Sequence, residues 1–140
     1  MDTGFALSDT ARNLAGILIL AVVTVETGGL YMLRIVTGRQ EATPFRTSFA
    51  RAGHAHAGVL LILGLVCVVL SDLTGQTGFV AWLSRAGVAV SAILMPMGFF
   101  FSSMGGRREN PNRLIVLVYL GATVLAAGLI SLGIGLLTVR

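Results

Sequence analysis

Leu14-Ala-Gly-Ile-Leu-Ile-Leu-Ala-Val-Val-Thr-Val-Glu26-Thr-Gly-Gly-Leu-Tyr-Met-Leu33 is apolar along almost its whole length. About 20 such residues make a helix long enough to cross the hydrocarbon of a bilayer. Three comparable runs follow, Ala52–Leu70, Ala86–Met104 and Leu114–Leu137. The runs are continuous rather than alternating, so they predict helices and not the short strands of a barrel. With 55% hydrophobic and 11% charged residues in a chain of 140, the composition excludes an ordinary soluble domain. The expected architecture is all-α, a single transmembrane four-helix bundle, up-down-up-down, with helices over about 14–36, 47–72, 80–104 and 113–138. Met1–Thr10 carries Asp2 and Asp9 where a secretion signal has a basic segment. The first run therefore reads as a retained helix.

The net charge is +4, but the chain has no lysine, and its arginines sit mostly in two short loops. That is a topology signal and argues against nucleic acid as a partner. Arg34, Arg39, Arg46 and Arg51 flank the first connection; Arg107, Arg108 and Arg113 occupy the third. Only Arg12, Arg85 and Arg140 lie on the other side. The positive-inside rule puts both loops in the cytoplasm and both termini on the outer side of a bacterial inner membrane. Phe79 and Trp82, near the outer end of the third helix, suit an interfacial aromatic belt. Cys67 is the single cysteine and reads as a small core hydrophobe within the second helix.

The two arginine-bearing loops are alike. Gly38-Arg39-Gln40-Glu41 leads to Pro44-Phe45-Arg46, and Gly106-Arg107-Arg108-Glu109 leads to Pro111-Asn112-Arg113. Either the loops converged on ordinary hairpin punctuation, or the chain is a duplicated helical hairpin with a pseudo-two-fold axis along the membrane normal. On that alignment His54 matches Gly121 and His56 matches Thr123. Gly53 with Ala57, and Ala127 with Ser131 and Gly135, form ridges of small residues that let helices approach closely, within the bundle or in a homo-oligomer.

Glu26 is the residue that most needs explaining. A carboxylate at that depth costs on the order of 3 kcal/mol on insertion scales. At 1.5 Å per residue it lies roughly 12 Å in from Arg34. His56 lies roughly 7–8 Å in from Arg51 on the next helix. Helices joined by a short loop are usually neighbours, which predicts a Glu26 pair with His56 or His54. Positions 54 and 56 are about 200° apart on a helix, so both rings cannot face one site. Pro96, between Met95 and Met97, kinks the third helix at similar depth. Tyr119 and Thr123 reach it from the fourth. The expected site is a polar pocket of Glu26, Thr27, Tyr119 and Thr123. His54, His56, Met97 and Glu26 are its candidate cofactor contacts, and His54 and His56 its candidate metal ligands. Arg46, Arg51 and Arg107 would form a rim for propionates or another anion.

The segment Arg51-Ala-Gly-His54-Ala-His56-Ala-Gly58 resembles the histidine-bearing helix of haem–copper-oxidase-like proteins, which include small four-helix members. That resemblance implies haem or copper ligation by His54 or His56. It covers some ten residues. The same segment resembles the Arg-x-x-His-x-Asn stretch of the membrane-associated glutathione-metabolism family. His56 stands where that pattern has asparagine, and Val59 and Leu60 stand where a glutamate is expected. The whole chain also looks like small four-helix integral membrane proteins of Arg-rich, Lys-poor bacterial proteomes.

Three functions follow as expectations. One is a redox-cofactor protein binding haem or copper. Another is an accessory subunit of a larger membrane complex, such as a respiratory complex. The alternative is an oligomeric proton- or ion-coupled permease or channel, with Glu26 and His56 as a relay. No nucleophile–base pair, zinc motif or phosphate loop points to an enzyme.

Overall fold

Ser8 starts the first helix. Its hydroxyl accepts the Ala11 amide at 3.2 Å, and Asp9 places a carboxylate at the positive end of the helix. Helix α1 runs Asp9–Val36. It begins before the apolar run because the capping signal lies upstream of it. It ends at Gly38, whose φ of +72° reverses the chain while its amide bonds Ile35 O. Thr43 caps α2, Pro44–Ser71, with proline in the first turn where its missing amide costs nothing. Helix α3 spans Gly78–Ser102, and a 3-10 turn at Arg113–Ile115 leads into α4, Val116–Thr138. The computed structural model describes residues 6–105 and 108–139, and among these there is no strand. All four helices are long and apolar enough to cross a membrane.

Helices α2 and α3 form the centre, α4 packs on α3, and α1 packs on α2. Leu60, Leu61, Cys67, Val68, Val88 and Met95 lie in the core between them. The α3–α4 contact is backbone-close. A Cβ on Gly87 would sit 3.1 Å from the Gly128 Cα. The Ser91 hydroxyl lies 2.9 Å from Gly121 O, across the interface. Gly53 of α2 lies under Phe99 and Phe100, Gly135 under the Gln76 amide, and Ser131 bonds Ser84 at 2.7 Å. These small residues serve packing within the chain.

A Cβ on Gly98 would fall 2.6 Å from the Val118 backbone nitrogen, which no side-chain rotation relieves. Gly98→Ala is expected to force α3 and α4 apart and cost about 1–3 kcal/mol. Gly133 has nothing within 4 Å of such a Cβ, and Gly133→Ala should be neutral or slightly stabilising. Denaturant unfolding in detergent, followed by circular dichroism, compares the two. Equal stability of both variants would contradict the close approach.

The two hairpins pack differently. At matching heights, the bulk in the first lies on α2, where His54 presses on Gly28 of α1. In the second it lies on α3, where Met95 presses on Gly121 of α4. At the end away from the arginine loops, Asp72 ties three helices together. It accepts from the Ser8 amide at 2.7 Å, the Ser8 hydroxyl at 3.0 Å and Arg85 Nη2 at 2.7 Å. Arg85 Nε also donates to Ser71 Oγ at 3.2 Å. At this end α1 is held down, with Ala11, Ala15 and Leu18 buried. Towards the arginine-rich end it stands away from α3.

Candidate functional site

That divergence opens a cleft of about 710 Å³ between α1, α2 and α3. The volume is in the range of small-molecule and cofactor sites. Its walls are mostly apolar: Val25, Leu61, Ile93, Pro96 and Phe100 among them. Thr24, Thr27 and Tyr31 make a polar stripe on α1, and His54 projects from α2. Met97 lines the α3 side. Gln40, Arg46 and Ser103 stand at the arginine-rich mouth.

Backbone constraints shape this cavity. Thr24 and Thr27 donate their hydroxyls to Ala21 O and Thr24 O, both at 2.6 Å, leaving oxygen lone pairs for the cleft. Pro96 carries no amide, so the Ala92 carbonyl lacks its helical donor, and both residues line the cleft. The imidazole of His54 lies over Gly28 and Gly29, with Nδ1 3.0 Å from where a Gly28 Cβ would stand. Any larger residue at 28 would push the ring.

The two histidines have different surroundings. His56 is engaged: its Nδ1 lies 2.7 Å from Ala52 O, and its ring packs on Phe99 with centroids 5.0 Å apart. It faces α3 and does not line the cleft. His54 is half-buried, lines the cleft, and has no hydrogen-bond partner among the described residues. Arg46 is likewise half-buried at the mouth and takes part in no ion pair among them. An imidazole and a guanidinium thus reach one apolar cavity uncommitted.

Of the residues expected to form the site, His54, Met97, Thr27 and Arg46 come together in this cleft. Glu26 does not. It is exposed on the flank of α1 away from α3, and no hydrogen bond or ion pair joins it to either histidine. Helix rotation explains this: Glu26 is about 100° from Thr27, so only one of the two can face the cavity. Tyr119 is 67% exposed on the outward face of α4. Thr123, also exposed, gives its hydroxyl to Tyr119 O at 2.9 Å. Neither lines the cleft, so the polar pocket expected from Glu26, Thr27, Tyr119 and Thr123 is not assembled. Arg51 is exposed and off the mouth. Arg107 lies outside the described residues. Met95 is buried against Gly121. Among the described residues no three of His, Cys, Asp and Glu cluster around a common point.

Thr24, Tyr31 and Phe100 also line the cleft, beyond the residues expected there. Thr24, Gly28 and Tyr31 recur at helical spacing on one side of α1, a periodicity that was available in the sequence. No protein-family model, no curated protein and no solved structure matches the chain.

Proposed function

We propose that this is an integral membrane protein whose cleft holds a haem, as a redox-cofactor or accessory subunit of a bacterial inner-membrane complex. Its arginine-bearing connections, α1 to α2 and α3 to α4, would be cytoplasmic and both its termini outside, as the arginine distribution predicts. The observation that carries the reading is the His54 imidazole, without a hydrogen-bond partner among the described residues, in an apolar cleft that also holds Met97 and Arg46. Imidazole and thioether are both groups that haem iron accepts, so His54 and Met97 would be the residues to hold it. Arg46 at the mouth suits a propionate, and the apolar walls exclude water. Haem, when bound, supplies one-electron transfer. The chain's own part is to hold His54 in one orientation against Gly28 and to keep a cation at the mouth.

A visible spectrum and metal analysis of the purified protein, with and without added haemin, test this. A Soret band saturating near one haem per chain is the expected result. Bound copper without a Soret band would move the assignment to a metal held by the same imidazole and thioether. Absence of both, with no response to haemin, would end the cofactor reading. The proton-coupled permease is the second reading. It has less support, because Glu26 stands outside the cleft and apart from both histidines.

A further inference from the structure

Glu26 has no hydrogen-bond or ion-pair partner among the described residues, and lipid offers it none. Around it the exposed face of α1 is otherwise continuous. Asp9, Arg12, Gly16, Ile19, Val23, Glu26, Leu30 and Leu33 follow one another at alternating steps of three and four residues. Ile19, Val23, Leu30 and Leu33 are between 56% and 65% exposed. Nothing approaches within 4 Å of where a Gly16 side chain would begin. Such a seven-residue repeat has the spacing of a coiled-coil seam, where a single polar residue can fix register and partner number.

We propose that this face is the interface with a second copy of the chain, the two α1 helices running parallel about a two-fold axis normal to the membrane. Copies of one chain insert with one topology, so such an axis keeps every residue at its own depth. Glu26 then meets Glu26 of the other copy with no adjustment of height. A carboxyl that carries a proton is both donor and acceptor, so two such groups can satisfy one another where lipid cannot. The outer end of the face is charge-complementary to itself. Asp9 and Arg12 are both largely exposed there and bonded to each other at 2.8 Å, and across a two-fold axis each can exchange to the other copy's partner.

The outward face of α4 has the same spacing, through Tyr119, Thr123, Ala126 and Ile130. The Thr123 hydroxyl on that face is already bonded to Tyr119 O, and these four positions carry no carboxyl that needs a partner. This interface is independent of what the cleft binds, and it lies on the opposite flank of α1.

Disulfide mapping in native membranes tests the proposal. In a Cys67→Ala background, single cysteines are placed at Ile19, Val23 and Leu30 on the seam, at Ile17 off it, and at Ile130 on α4. Oxidation should give dimers at the three seam positions and not at Ile17 or Ile130. Crosslinking at Ile130 instead, or at none of the five positions, would overturn it. Glu26→Ala should weaken the dimer about tenfold in detergent, as one or two interhelical hydrogen bonds would. Glu26→Gln, which keeps donor and acceptor, should stay close to wild type. If Glu26→Ala dimerises as well as the wild type, the carboxyl contact is wrong.

Discussion

His54→Ala is expected to abolish saturable haem binding, weakening it by about two orders of magnitude or more, while His56→Ala changes it little. The reason is the difference in their surroundings. The His56 nitrogen nearest the backbone is bound to Ala52 O, and its ring is packed on Phe99. Its removal takes away a packing contact but no free donor to the cleft. The His54 ring has no hydrogen-bond partner among the described residues and opens into the cavity. Loss of a metal's direct ligand exceeds the 10–100-fold typical of losing a supporting group. Met97→Leu tests the opposite wall, because it preserves volume and removes the thioether. It should shift the Soret band and the reduction potential of added haem while leaving haem binding through His54 in place. Haemin titration followed by absorbance reads all three variants. Equal loss in His54→Ala and His56→Ala would point to general destabilisation and remove the case for a ligand at 54.

The four helices were legible because bilayer thickness fixes a length and a composition that sequence alone displays. Helix ends were less so. Ser8 and Thr43 set the starts of α1 and α2 through local hydrogen bonds that hydropathy does not register. The candidate site was half legible. Counting residues from the flanking arginines gives height in the bundle, and by height Glu26, His56, Tyr119 and Thr123 all belonged to one layer. Height says nothing of rotation about each helix axis. Thr24, Thr27, Gly28 and Tyr31 turn to the cleft while Glu26 turns away. Fixing that rotation needs the packing of α1 on α2, which depends on His54 fitting over Gly28 and Gly29, a contact between residues far apart in sequence. The cleft exists for the same non-local reason: at the arginine-rich end α1 packs on α2 through His54, and the space towards α3 stays open.

The pin at the opposite end, through Asp72 and Arg85, gives the second large expected effect. Arg85→Ala should lower stability by about 2–3 kcal/mol, the upper range for a hydrogen bond to a charged group. Asp72 follows the last turn of α2, where the helix dipole disfavours a negative charge, and its side chain is only 11% exposed. Without Arg85 it would keep the two Ser8 bonds but lose its countercharge, and Ser71 would lose the Arg85 Nε donor. Arg85→Lys restores the charge without the second bond, and about half the loss should return. Burial pushes the Asp72 carboxyl up, but the Ser8 amide and hydroxyl and the Arg85 guanidinium outweigh it and hold the group below its ordinary value. A carboxyl whose pKa is lower folded than unfolded stabilises the fold above the unfolded value, near 4, and loses that contribution as pH falls through the folded one. Wild-type stability should therefore fall more steeply than that of Asp72→Asn on acidification from about pH 4 downwards. Denaturant unfolding in detergent at stepped pH isolates the group as the difference between those two curves. Parallel curves would mean that Asp72 gains nothing from its partners. Because the pin fixes α1 against α2 and α3 at the far end, Arg85→Ala should also loosen the cleft walls. Haem affinity would then fall together with stability, though far less than in His54→Ala.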